Sequence, residues 1–257
     1  MIYAHIPARG GSVGIPRKNI SPVFGHPMIY WTLMAAVEAD VFHHIVVNTD
    51  DDEIEEYIKG VARVYGHRNV DTYRRPAALG GSGVGMAEVV LDFAVSTPMV
   101  AGDIIVTLLP TSPHRRVEDI RKAVELLQTQ KADAAITGAL AHPVEWTTTM
   151  REVGETLYWD WDEDPEVRYW QRQQCETRYF FVGAIFAQTV FHLLQYKSIH
   201  GGISEAMIEI PSEYAVQVDI PDDIPIIEAL MERARDRKGQ EARAAKNGRG
   251  VVPARPD

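Results

Sequence analysis

The 257-residue sequence is short of cysteine, of long apolar runs and of positive charge, and each shortage narrows what it can be. Cys175 is the single cysteine, so no disulfide can close within the chain; a reducing, cytoplasmic setting is the expectation. No apolar stretch approaches the roughly 20 residues of a membrane-spanning helix, and the N-terminus lacks the charged-then-apolar pattern of a secretory signal, so no membrane role is expected. Lys and Arg number 26 against 36 Asp and Glu, a net charge of −10. The basic residues crowd the end: from Arg233 onward eight Lys or Arg stand against three Asp or Glu, which leaves the rest near −15. Such acidity excludes a general nucleic-acid binder, and a polyanionic ligand then needs a local basic pocket. The nine histidines show no H-x-x-x-H pairing, so no zinc site is expected.

Apolar residues are not scarce, at 46% of the chain, enough for one large α/β domain or two small ones. Short β-branched runs at Ile2–Pro7, His44–Asn48, Asp103–Leu109 and Ala134–Thr137 suit buried parallel strands. Helical spacing lies between them. Pro27 is placed to open one helix, with Ile29, Leu33, Ala36 and Val37 on its apolar face. A second helix covers Asp51–Tyr65, and a third covers Val117–Leu127. This alternation predicts a mostly parallel sheet with helices on both faces. The pattern breaks from Ala139 to Arg178, where Trp146, Trp159, Trp161 and Trp170 sit among charges. That stretch reads as an excursion buried against something, a second subunit in our reading. Strands resume at Gly183–Ala187 and Ala206–Ile210, and a last helix carries Ile224, Ile227 and Leu230. Past Lys238 no apolar stripe remains, so residues 239–257 are expected to be a disordered tail.

After the first strand come Arg9-Gly10-Gly11-Ser12 and then Arg17-Lys18-Asn19. Backbone N–H groups of a glycine loop can cradle phosphate oxygens, and Arg9 and Lys18 can neutralise phosphate charge. The pattern G-x-x-x-x-G-K-[ST] is absent, and Pro16 interrupts the helix that a dinucleotide fingerprint requires. Asp50, Asp51 and Asp52 precede the second helix and read as its cap and dipole partners rather than as a metal cluster. Cys175 reads as a bystander thiol.

IPARGGSVGIPRKN at 6–19 resembles the signature loop of the cytidylyltransferases that activate sialic and related nonulosonic acids, the CMP-N-acetylneuraminate synthetase family. The likeness continues in order through VNTDDDEI (47–54), YRRPAAL (73–79), LLPTSPHR (108–115), RQQ (172–174) with VGAIFA (182–187), and VQVDIPDD (216–223). It implies a Rossmann-like nucleotidyltransferase fold over residues 1–238, with 139–178 as an inserted segment that clasps a second subunit in a homodimer. It implies transfer of CMP from CTP to a small sugar acid, with release of pyrophosphate and help from Mg²⁺ or Mn²⁺. By position, Arg9, Lys18 and Asp219 would be catalytic. Ala8, Arg9, Gly10, Gly11, Ser12, Lys18 and Asn19 would hold the triphosphate, with Arg75 and Ser82 near the nucleotide. Leu109, Thr111, Ser112, Arg172 and Gln173 would face the acceptor, Arg172 its carboxylate. Asp219 and Gln217 would ligate the metal. The residues themselves also admit plainer roles: Asp219 as a helix cap, Arg172 paired with Glu166 or Glu176, Arg75 as an exposed loop cation.

Five departures gather around this pocket. Val13 stands where the family pattern has Lys, a loss that Arg17 could partly offset. Leu109 replaces a common Gln, Val182 an Asn, and Gln217 the first of two Asp. GGSGVGM at 80–86 replaces an acidic, hydroxyl-rich turn. They point to a different acceptor, such as another nonulosonate, a deoxy-ketoaldonate or a phosphonate. A different nucleotide and a non-catalytic relative are the other readings.

Overall fold

The computed structural model describes residues 1–12, 14–141, 149–153, 156–160, 179–202 and 204–246. Its strands are β1 (Ile2–Pro7), β2 (Pro22–Val23), β3 (His26–Pro27), β4 (His44–Thr49), β5 (Val70–Arg74), β6 (Ile104–Leu108), β7 (Ala134–Leu140), β8 (Thr149–Val153), β9 (Thr156–Asp160), β10 (Tyr179–Thr189) and β11 (Glu205–Glu209). Its helices are α1 (Met28–Ala39), α2 (Asp52–Tyr65), α3 (Met86–Ser96), α4 (Val117–Gln128), α5 (Val190–Tyr196) and α6 (Asp223–Lys246).

Seven strands form one sheet in the order β11-β7-β10-β6-β1-β4-β5. Only β10 runs antiparallel to its neighbours, so the sheet is mixed and mostly parallel, as expected. Side chains alternate across it as the strand pleat requires. Ile2, Ala4 and Ile6 face Leu33 of α1, Ile58 of α2 and Val124 of α4 in the larger core cluster. Ile105, Ile136 and Phe186 face Val90 of α3 and Leu193 of α5 on the other side. A third cluster lies beyond the sheet ends. Ile15 of the opening loop, Val23, Met28, Val218, Ile227 and Met231 pack together there, joining the first loop to the last helix.

Strand β5 and helix α3 escape a reading by hydrophobic pattern. β5 reads VDTYR and is the sheet's edge, with no residue fully buried and Asp71 and Arg74 exposed, so it carries no apolar run. α3 begins inside a glycine-rich stretch and is capped by Gly85, where Glu88 accepts from the Gly85 N–H. Asp51 caps α2 by accepting from Ile54 N–H at 3.0 Å. Pro27 is the cap residue of α1 rather than its first residue. Helix α6 continues through Lys246, past the expected end at Lys238, because Ala, Arg, Glu and Lys favour helix without needing an apolar stripe. Residues 247–257 of the expected disordered tail lie outside the described residues. Within the excursion, β8 and β9 pair as an antiparallel hairpin. Trp146, Trp161, Trp170, Arg172, Gln173 and Cys175 lie outside the described residues, as does Val13.

Strand β10 contains a register shift between Val182 and Phe186. Thr137 of β7 holds it: its hydroxyl donates to the Val182 carbonyl at 2.6 Å and accepts from Ile185 N–H at 3.2 Å. The bulge sets Gly183 against Leu109 and Gln217. Thr137→Val keeps the shape and leaves two buried backbone groups unpaired. We expect a loss of about 2–6 kcal/mol, from roughly 1–3 kcal/mol per orphaned group. Urea unfolding followed by circular dichroism measures it.

Candidate active site

The carboxyl ends of β1, β4 and β6 meet where the chain order reverses between β1 and β6, the usual place for a ligand crevice in an open α/β sheet. Each end is tied to the next. Ala8 N–H continues the β1 ladder to the Asn48 carbonyl at 2.9 Å. The Asn19 side chain donates to the Arg9 carbonyl at 2.9 Å, folding the loop back on itself. Arg9 reaches across to the Gly81 carbonyl at 3.1 Å. A cavity of about 330 Å³ lies between these loops. Arg9, Ser12, Lys18, Asn19, Arg75 and Ser82 form its polar wall, while Val84, Met86, Val89, Leu109 and Pro110 form an apolar one.

Asp50 organises this arrangement, in a role its sequence context did not suggest. It is not a helix cap: its carboxylate accepts from Gly10 N–H at 2.9 Å. A Cβ on Gly80 would lie 2.3 Å from the same carboxylate, and a Cβ on Gly10 would lie 2.4 Å from that of Asp51. The two glycine loops therefore close over the two acids because neither loop carries a side chain there. Asp52 pairs instead with Arg74 at 2.6 Å. The consecutive carboxylates thus divide their work, and among the described residues no cluster of three or more His, Cys, Asp or Glu forms a metal cage.

Lys18 lies opposite the last loop. Its Nζ donates to the Val218 carbonyl at 2.9 Å and to Asp219 Oδ1 at 3.1 Å. Asp219 is therefore not a helix cap; Asp223 takes the backbone N–H groups of Asp219 and Ile220 instead. Gly14 completes the approach, since a Cβ there would lie 2.7 Å from the Asp219 carbonyl. Residues 215–219 form no strand, and Val218 N–H bonds to the Thr111 carbonyl at 2.8 Å.

Several expected roles change on this geometry. Arg17 does not substitute for a missing lysine: in a left-handed backbone conformation it points away, to Asp51 at 3.0 Å and Glu53 at 2.7 Å. Arg75 is not an exposed loop cation but is 5% exposed. It bonds through Nε and an amino group to the side chain and carbonyl of Asn48, and burial lowers its pKa. Ala8 and Ser112 are fully buried. Ala8 packs in the core, and Ser112 accepts from the Gln217 amide at 3.1 Å. The Gly10 N–H is committed to Asp50, so the cradle relies on side chains more than on that amide. Thr111 lines the cavity, and Leu109 lines it while packing against the α3 cluster. The turn that carries both is held by Arg115, unnoticed in the sequence. Its guanidinium donates to the Ser112 and Leu109 carbonyls, and full burial pushes its pKa down to about 9.

The sequence profile described as Cytidylyltransferase matches residues 4–164, more than half of the chain and all of the cavity's strand ends. The chain belongs to the cytidylyltransferase family. It is 29% identical over 230 residues to an N-acylneuraminate cytidylyltransferase of Oncorhynchus mykiss, a match covering 88% of this chain and 49% of that protein. It thus spans about half the length of that curated relative. It is 28% identical to a CMP-N,N'-diacetyllegionaminic acid synthase of Legionella pneumophila, covering 90% of this chain and 96% of the relative. Its fold is similar to a solved CMP:2-keto-3-deoxy-manno-octonic acid synthetase complexed with CTP, at a TM-score of 0.65 and 18% identity over 91% of this chain and 99% of that one. It is also similar to a 4-diphosphocytidyl-2C-methyl-D-erythritol synthase of Anaerococcus prevotii, at a TM-score of 0.60 and 13% identity over 90% and 96% of the two chains. The family match agrees with the resemblance seen in the sequence, and the two solved neighbours agree with the expected fold.

Gly14→Ala tests how closely the cytidylyltransferase loop approaches the Asp219 segment. The added methyl meets a backbone carbonyl that cannot rotate away. We expect about 1–3 kcal/mol of lost stability from overpacking. Thermal melts of the two proteins measure it.

Proposed function

We propose that the protein transfers CMP from CTP to a sugar acid, releasing pyrophosphate. The observation that carries this reading is the convergence of Arg9, Ser12 and Lys18 on one cavity at the strand ends, with Asp219 bonded to Lys18. Cations with one carboxylate beside them suit a polyphosphate that arrives with a divalent ion. Arg9 and Lys18 would bind the triphosphate, and Ser12 would donate to a phosphate oxygen. The acceptor hydroxyl would form a bond to the α-phosphorus as the bond to pyrophosphate breaks, so that the chain contributes positioning and charge stabilisation.

The residues fit Mg²⁺ carried by the nucleotide rather than a preformed cage. Asp219 offers one carboxylate, Gln217 one carbonyl, and Mg²⁺ commonly takes one or two protein ligands plus phosphate oxygens and water. When bound, the ion would neutralise charge on the phosphates. Lys18 already bonds to Asp219, so the same carboxylate serves cation and metal, and triphosphate binding would draw Lys18 toward the phosphates.

The apolar wall at Leu109, with Val84 and Met86, favours an acceptor that presents an unadorned or acylated flank there over one that needs a side-chain amide. The sugar acids named for the relatives are the first class to test: sialic, legionaminic and deoxy-octonic. Arg172 and Gln173 remain our candidates for the acceptor side. We also propose a homodimer, supported by the exposed Tyr179, Phe180 and Phe181 where the excursion rejoins the sheet. A cytoplasmic location remains the reading of the single cysteine.

Pyrophosphate release with Mg²⁺, crossing four nucleoside triphosphates with a panel of sugar acids, tests the activity. We expect CTP-dependent release. Lys18→Ala and Asp219→Ala should each cut turnover at least tenfold, about 1.4 kcal/mol or more of transition-state stabilisation. Full activity in either variant overturns the site assignment. No release and no CTP binding by calorimetry favours the non-catalytic reading. Light scattering at micromolar concentration should give twice the 28.8 kDa chain mass, and a monomer overturns the dimer.

A further inference from the structure

A chain of buried polar side chains runs from the middle of the sheet to the wall of the cavity. His5 sits at the centre of β1, fully buried, with its ring 4.9 Å from that of Phe93. Its Nδ1 lies 3.3 Å from Thr107 Oγ1 on β6, and its Nε2 lies 3.0 Å from Asn48 Nδ2 on β4. Asn48 Oδ1 lies 2.8 Å from Arg75 Nε, and the Asn48 carbonyl 3.1 Å from an Arg75 amino group. Arg75 lines the cavity.

The direction of every bond follows from one fact. A guanidinium only donates, so Asn48 must turn its side-chain oxygen to Arg75 and its amide nitrogen to His5. The amide nitrogen also only donates, so His5 Nε2 must accept. The single ring proton therefore sits on Nδ1 and points to Thr107. Burial, and then the charge of Arg75, hold the imidazole pKa down to about 3, so no second proton arrives to reverse the chain at ordinary pH. A core that needed only apolar filling at these positions would carry no donor or acceptor here, because buried polar groups stabilise little and cost much when unpaired.

We propose that His5 and Asn48 are positioning residues that lock Arg75 in one rotation. Asn48 occupies the Nε edge of the guanidinium and one amino group; the other amino group lies 3.4 Å from the Leu79 carbonyl, in the loop that lines the cavity. The proposal rests on the reading of the cavity as a nucleotide site. It predicts that a residue with no contact to the cavity controls how that cavity grips its ligand.

Long-range nitrogen–proton correlation NMR on the wild-type protein should show His5 protonated on Nδ1, the tautomer that free imidazole side chains disfavour. His5→Leu removes the acceptor for the Asn48 amide and frees that amide to turn. Exchange of the Arg75 Nε–H with water should then accelerate at least tenfold. Affinity for CTP with Mg²⁺, by calorimetry, should fall about tenfold, the scale of one lost charge-assisted hydrogen bond. His5→Gln, whose carbonyl can accept from Asn48, should restore most of both. A wild-type ring protonated on Nε2 overturns the lock. So does a folded His5→Leu protein whose Arg75 exchange and CTP affinity are unchanged. If His5→Leu does not fold, the wild-type tautomer and the His5→Gln variant decide. Absence of CTP binding by the wild type would sink the nucleotide reading instead, while tautomer and exchange still judge the lock.

Discussion

The site depends on an apolar contact. Ile15, Val23, Met28, Val218, Ile227 and Met231 bury one another where the opening loop meets the approach to the last helix. Without it, Lys18 and Asp219, 201 positions apart in sequence, would have no reason to meet. Their ion pair cannot supply that reason. The Asp219 side chain is 72% exposed, and ion pairs of that kind contribute about 0–1 kcal/mol. Each buried aliphatic side chain contributes about 1.5–3 kcal/mol. The cluster therefore holds the geometry, and the charges are left weakly committed. That suits the proposed site, in which Lys18 would turn from Asp219 to an arriving phosphate.

Glycine performs the complementary task on the other side of the cavity. Gly10 and Gly80 approach Asp51 and Asp50 so closely that a methyl group on either would overlap a carboxylate oxygen. Of the glycines in the turn at residues 80–86, Gly80 is thus a steric requirement of the acid beneath it. Asp50 in turn spends its carboxylate on the Gly10 N–H, stiffening the loop that carries Arg9.

The charge balance of the cavity follows from who holds each cation. Arg17 is matched by Asp51 and Glu53 and leaves the site. Arg9 and Arg75 hydrogen-bond to neutral groups, the Gly81 carbonyl and Asn48, and the carboxylates of Asp50 and Asp92 act on Arg75 only through space. A protein with a net charge of −10 thereby keeps a positive pocket at its strand ends. Neutral partners in a low-dielectric wall fix direction without cancelling charge.

The strands β1, β4, β6 and β7 were legible as short apolar runs because they lie buried between the two helical layers, and the helices α1, α2 and α4 because each buries one repeating face. The opening loop stood out as a candidate because glycine, serine and cations follow the first strand directly. The edge strand β5 and helix α3 were not, since one is half exposed and the other starts in glycine. By itself the sequence determined the family, the alternating α/β plan and the candidate cations Arg9 and Lys18. Tertiary structure alone decided which of those candidates face the cavity. It withdrew Arg17 to Asp51, buried Arg75 behind Asn48 and His5, gave Asp50 to the loop and set Asp219 against Lys18. Local pattern reports which residues are available, but the direction of a side chain is set by partners that lie far away along the chain.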